Sequence, residues 1–195
     1  LAPVAEQLDI PLVVTFYGFD ISQLPKQKEW REAYEQLWEQ ATAVTVLSQK
    51  MKQEAQRLGC PDEKLTVVHL SREIDQFPFC PPTSEASTVL FVGRLTPKKA
   101  PLDAIKALRR ANKLGAGLHL DMIGDGECWA DVEQYVEKHD LSNAVTLHGY
   151  LSNEEVGARM QTADAFLLPS KTAPSGDREG TPTVLVEAQA TGLPC

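Results

Sequence analysis

The 195-residue sequence has no CxxC pair, no hydrophobic run approaching a membrane span and no excess of basic charge. Its four cysteines, Cys60, Cys80, Cys128 and Cys195, are scattered, and His69, His119, His139 and His148 stand at no metal-ligand spacing. No metal site is legible, and a reduced, cytoplasmic setting is the default for such cysteine usage. The longest apolar runs, such as residues 11–14 and 165–168, fall far short of the about 20 residues a spanning helix needs. With 27 acidic residues against 19 basic ones the formal charge is −8. A nucleic-acid partner, which calls for a basic surface, is therefore not expected. Low complexity and solenoid periods are also lacking. The sequence opens Leu1-Ala2-Pro3 and stops at Leu193-Pro194-Cys195 just beyond a helical pattern, so both ends read as cuts in a longer chain.

What is present is an alternation. At 43% hydrophobic and 24% charged residues the composition is globular. Short β-branched runs at 11–16, 43–47, 65–70, 88–92, 118–123, 144–147 and 165–168 alternate with helical patterns, the signature of βαβ units and parallel sheets. The predicted helices cover about 29–41, 49–58, 101–114, 129–139 and 153–162, and a last one starts at Thr181-Pro182. In the first of these Trp30, Ala33, Tyr34, Leu37 and Trp38 recur at helical spacing. Ser48 is a predicted N-cap, and Ser152 with Glu155 a capping box. Pro78, Pro81 and Pro82 break every period, which places a linker at 77–87 between a lobe at 1–76 and another at 88–195. The fold class expected is α/β, two Rossmann-like lobes, the first lacking its start and the second its end. A (β/α)8 barrel is the rival, and the proline-rich break speaks against it.

In doubly wound sheets ligands sit beyond the carboxyl ends of strands, so the residues after each strand carry the functional expectations. After 88–92, Arg94, Lys98 and Lys99 put three cations into one short loop, a seat for an anion such as diphosphate or else a solvated basic loop. Thr181 as N-cap and Pro182 as first helical residue would leave the amides of Thr183 and Val184 as free donors, a second anion seat. Glu187 shares a face with Thr183 on an otherwise apolar helix, so its charge needs a partner: a structural Arg or Lys, or the hydroxyls of a ribose-like diol. Glu179 stands in the loop before that helix, either turned to the same ligand or solvated. Gly124-Asp125-Gly126 reads as a tight turn needing positive φ. Tyr17 and Asp20 close the first strand, with a structural role equally open to both.

Together these turns resemble the retaining nucleotide-sugar glycosyltransferases of the GT-B fold, family 4, often called group 1 glycosyl transferases. The resemblance rests on GRLxxKKAP at 93–101, IGDG at 123–126, LHGYLS at 147–152, Pro169-Ser170, and EGxPxxxxE at 179–187 followed by AxAxGxP. It spans essentially the whole chain. It implies metal-independent transfer of a hexose-type sugar from a nucleotide-diphosphate donor, with retention, onto a saccharide or lipid-linked acceptor in cell-surface polysaccharide or lipopolysaccharide synthesis. Arg94 and Lys99 would hold the diphosphate as it leaves, and Glu179 would sit by the donor sugar. Glu187 would hold the ribose hydroxyls, the amides from Gly180 through Thr181 and Thr183 to Val184 would meet sugar and phosphate, and the backbone near Tyr150 the base. Lipid-linked acceptors would bring a cytoplasmic protein into peripheral contact with the membrane's inner face. Three departures stand out: Tyr17 where the family usually has an acceptor-side histidine, Ala100 for a common glycine, and the lack in this sequence of the glycine-rich turn the family has near its N-terminus and of the strand and helices expected after Cys195, so that this piece alone is expected to be inactive. The alternatives are a catalytically weak relative that binds a sugar nucleotide or a partner, and a sugar-nucleotide epimerase of similar build.

Overall fold

A computed structural model describes residues 2–73, 75, 77–81 and 87–195. The chain divides into two compact units, residues 1–70 with 172–181, and residues 71–171 with 182–195. The expected linker at 77–87 lies partly outside the described residues. Among the described residues the strands form two separate parallel sheets, of three and four strands, and not the single closed sheet that a barrel would require.

In the first unit, strands β1 (Val13–Phe16), β2 (Ala43–Val46) and β3 (Leu65–Val67) lie parallel in that order, with Phe16 opposite Val46 and Val44 opposite Leu65. Helices α1 (Ala2–Gln7), α2 (Phe19–Ser22), α3 (Lys28–Gln40) and α4 (Gln49–Arg57) accompany them. Tyr34 and Trp38, four residues apart on α3, face the core and pack around Phe16 at ring distances of 5.4 and 5.5 Å. Burying aromatic side chains of this size contributes roughly 2–3 kcal/mol each. Trp38 keeps its indole satisfied, Nε1 donating to Leu58 O at 2.9 Å. Trp30 and Ala33 share the helical spacing but stay at the exposed rim, because the buried stripe runs through 34, 37 and 38. Ser48 caps α4 as expected, its Oγ accepting from Met51 N at 3.2 Å.

The second unit has the strand order β6-β5-β4-β7, built from β4 (Thr88–Val92), β5 (His119–Ile123), β6 (Val145–Gly149) and β7 (Ala165–Phe166). All neighbours are parallel, and the order reverses beside β4, the arrangement of one Rossmann half. Val89, Leu90 and Phe91 are consecutive and all buried, as a central strand covered on both faces must be. Helices α5 (Pro101–Lys113), α6 (Trp129–Lys138), α7 (Asn153–Thr162) and α8 (Thr183–Ala190) complete the unit. Pro101 is the first residue of α5 as expected, after Ala100 in the left-handed region at φ 52°. The Ser152/Glu155 capping box forms at the start of α7.

Several boundaries differ. Helices α1 and α2 were not expected from the sequence, being too short to show a period. β3 ends at Val67 and β7 at Phe166, short of the apolar runs that suggested residues 70 and 168. The last helix begins at Thr183: Pro182 is its N-cap in extended backbone, with no side-chain cap from Thr181.

Asp121 on β5 is nearly buried and gathers three partners. His148 Nε2 lies 2.9 Å from Oδ1, Arg159 Nη1 donates to Oδ2 at 3.1 Å, and His119 Nε2 lies 3.7 Å from Oδ1. His148 on β6 and Arg159 on α7 thus share one carboxylate on β5, which ties β5 and β6 to α7, while His119 Nε2 lies 2.8 Å from Thr146 Oγ1.

Candidate functional site

A cavity of about 1430 Å³ opens in the second unit at the carboxyl ends of its strands. It exceeds the about 300–1,000 Å³ of ordinary small-molecule sites and suits an extended ligand. Its floor comes from three successive βα turns: Gly93 and Arg94 after β4, Gly124 to Gly126 after β5, and Tyr150 after β6. The first two turns touch backbone to backbone. A Cβ on Gly124 would stand 2.0 Å from Gly93 O, and one on Gly126 2.7 Å from Leu95 O. Positive φ at both glycines, 134° and 153°, confirms the tight-turn reading and gives it a second reason, close approach. Leu95 N donates to Asp125 O at 2.9 Å and Gly124 N to Gly149 O at 2.8 Å, so the three turns form one hydrogen-bonded floor.

Helix α8 supplies the opposite chemistry. Leu185 N donates to Pro182 O at 3.2 Å, so the amides of Thr183 and Val184 precede the first bond of the helix and are orphan donors. The shift of the helix start from Thr181 leaves this property intact. Thr183, Val184 and Glu187 all line the cavity, as the one-face spacing requires. The charge on Glu187 is met by Arg72, Nε to Oε1 at 2.7 Å. The structural alternative of an ion pair is therefore realised, by a residue that no motif points to. Arg72 also lines the cavity, so the pair forms part of its wall.

Of the expected site residues the cavity brings together Arg94, Tyr150, Thr183, Val184 and Glu187. Arg94 and Tyr150 are exposed, Tyr150 at 84%. Lys99 is not among the described lining residues; its side-chain carbons pass 3.5 Å from where a Cβ on Gly93 would lie. Glu179, Gly180 and Thr181 belong to the first unit, in the returning segment 172–181. That segment is anchored within its own unit: Lys26 Nζ donates to Ser175 O at 2.6 Å, and Arg178 pairs with Glu54. Gly180 packs so closely that a Cβ would stand 2.8 Å from Tyr17 O, so the Glu179 segment and the Tyr17 turn are neighbours. Tyr17 is 60% exposed. Asp20 is engaged structurally: its carboxylate accepts from the amides of Tyr17 at 2.8 Å, Gly18 at 2.7 Å and Ile21 at 2.9 Å. Beneath the turn, Tyr34 Oη donates to Asp20 O at 2.6 Å, and burial, then the Asp20 charge, push its phenol up to about 12.

Among the described residues no three His, Cys, Asp or Glu side chains form a group that could hold a metal ion, and no helix is long and apolar enough to cross a membrane.

The second unit is thus a Rossmann half in which glycine-tight turns, a helix start and an arginine line one cleft. The chain belongs to the glycosyl transferases group 1 family, whose model matches residues 74–195, and a glycosyl transferase 4-like domain matches 1–71. It is similar to the amylovoran biosynthesis glycosyltransferase AmsK of Erwinia amylovora, 34% identical over 93% of this chain and 45% of the relative. It also resembles WcaL of Escherichia coli K12, named as a colanic acid biosynthesis glycosyltransferase, at 31% identity over 94% of this chain and 46% of the relative. The chain thus spans about half the length of these relatives. Among solved structures, that of Anabaena HepE in complex with UDP matches with a TM-score of 0.82 and 21% identity, over 99% of this chain and 54% of that one. That likeness shows the shared α/β fold.

Proposed function

We propose that the protein carrying this chain transfers a sugar from a nucleotide-diphosphate donor to a saccharide or lipid-linked acceptor in cell-surface polysaccharide synthesis. The observation that carries this reading is the cavity itself, in which Arg94, the orphan amides of α8 and the carboxylate of Glu187 line one space. Cation and amides answer a diphosphate, and the carboxylate answers a vicinal diol. The names of AmsK and WcaL, and the UDP held by HepE, point the same way.

In this mechanism Arg94 and Lys99 stabilise negative charge as it develops on the departing diphosphate, with the Thr183 and Val184 amides adding fixed dipoles. Glu187 accepts from the ribose hydroxyls, and the backbone near Tyr150 meets the base. By the family motif Glu179, with the Gly180 and Thr181 amides, is assigned to the donor sugar, and Tyr17 to the acceptor side. The bond from the anomeric carbon to the phosphate oxygen breaks while the acceptor oxygen bonds to the same face of that carbon. The acceptor's proton passes to the departing phosphate oxygen, so configuration is retained and no metal is called for. Lipid-linked acceptors would place the reaction at the inner face of the membrane.

The test is nucleotide release by the complete protein with UDP- and GDP-sugars, with and without EDTA, and NMR of the product's anomeric configuration. Arg94→Ala and Glu179→Ala are each expected to lower transfer by about a hundredfold or more. Unimpaired transfer in both variants would refute the site assignment. An altered free sugar nucleotide would mean epimerisation, and donor binding without transfer to any acceptor would favour the binding-only relative to which the Tyr17 replacement points.

A further inference from the structure

We infer that Arg72 is a positioning residue which fixes the Glu187 carboxylate as the acceptor for the donor's ribose hydroxyls and keeps the cavity wall passable to a nucleoside diphosphate. The inference rests on the donor-binding reading above. It starts from the 2.7 Å contact between Arg72 Nε and Glu187 Oε1. The Glu187 side chain is 15% exposed on a helix whose other residues, Val184, Leu185 and Ala188, pack into the apolar core. A carboxylate so placed is costly without a counter-charge, and Arg72 supplies one.

The pairing does not use up the carboxylate. Two oxygens carry about four acceptor positions, and one N–H donor occupies one of them. The remainder is enough for a diol, which brings two donors. A glutamate has three rotatable bonds, so an unheld side chain would have to be ordered by the ligand itself; the ion pair orders it beforehand.

Charge decides between this arrangement and one in which the diol displaces the arginine. The described cavity wall carries Arg72 and Arg94 against Glu73, Asp125, Glu154 and Glu187. Carboxylates already outnumber guanidinium groups there, and a diphosphate adds further negative charge. Releasing Arg72 from Glu187 at that moment would leave a poorly solvated carboxylate beside the incoming anion. Keeping the pair intact avoids this, and directs the remaining lone pairs to the ribose.

The experiment compares the affinities of UDP and GDP with those of their 2′-deoxy forms, by calorimetry on the complete protein and its variants. Wild type is expected to prefer the ribonucleotide of its own base by about ten- to a hundredfold. Glu187→Gln should reduce that preference to within about threefold. Arg72→Ala should reduce it equally, Arg72→Lys should retain part of it, and Arg72→Ala combined with Glu187→Gln should be no worse than Glu187→Gln alone. A purely structural role for Arg72 would lower the melting temperature without touching the ribose preference. If Arg72→Ala keeps the wild-type preference while Glu187→Gln loses it, or if the two effects multiply, the role of Arg72 is overturned and the donor reading stands. If Glu187→Gln keeps the preference, or wild type has none, the donor reading itself falls. Should Arg72→Ala not fold, Arg72→Gln, which retains an N–H donor and most of the stem, carries the same comparison.

Discussion

Replacing Gly124 by alanine tests whether the cleft floor depends on the backbone contact between its turns. The added Cβ would stand 2.0 Å from Gly93 O and 2.9 Å from Gly93 C, neither of them a side-chain atom that could swing aside. Relief requires the turns to separate by about 1 Å, which strains three hydrogen bonds: Gly93 N to Ile123 O, Gly124 N to Gly149 O and Leu95 N to Asp125 O. At about 1 kcal/mol for each bond, with a further 1–2 kcal/mol for an L-residue at a φ of 134°, the cost comes to roughly 4–5 kcal/mol. That is a large share of the about 5–15 kcal/mol that stabilises an ordinary domain. Urea unfolding followed by far-UV circular dichroism measures it. The control is Gly157→Ala in the middle of α7, where a Cβ meets nothing within 4 Å and helix propensity predicts a gain of about 0.5–1 kcal/mol. A Gly124→Ala protein within about 1 kcal/mol of wild type would refute the steric account of the glycine turn.

Two further outcomes follow from ionisable groups. The Ser152 backbone N–H and then its hydroxyl donate to Glu155 at 2.8 and 2.7 Å and hold its carboxyl below its ordinary value. A folded pKa below the unfolded one stabilises at pH above the unfolded value, near 4.5, and that contribution is lost as pH falls through the folded value. Ser152→Ala should therefore lower the melting temperature of the protein at pH 7 by more than it does at pH 3; an equal effect at both would contradict the capping-box account. Cys60 is buried, and desolvation, partly opposed by Lys64, pushes its thiol up to about 11. At pH 8 its thiolate fraction is then only about one in a thousand, so iodoacetamide labelling read by mass spectrometry should find Cys60 the slowest of the four cysteines. Labelling as fast as that of Cys195 would count against this burial.

Local chemistry is what the sequence determined by itself. Ser48 and the Ser152/Glu155 pair act on backbone three residues away, Pro101 fixes the backbone at its own position, and the βα alternation follows from side-chain periods inside each segment, so all were legible before any fold was known. The same holds for the turn after each strand, because a glycine at positive φ and a cation next to it are neighbours in the chain. Short-range order also sets the limits of that reading. Helices α1 and α2 are too brief to show a period, and α8 starts at Thr183 with Pro182 rather than Thr181 as its N-cap. That Glu187 needed a partner could be argued from its apolar helix; that the partner is Arg72 could not, nor that His148 and Arg159 would meet Asp121 across 27 and 38 residues. Such pairs are selected when strands take their order in the sheet and helices settle on its faces. Only then do charges without local company find the counter-charges that make their burial affordable.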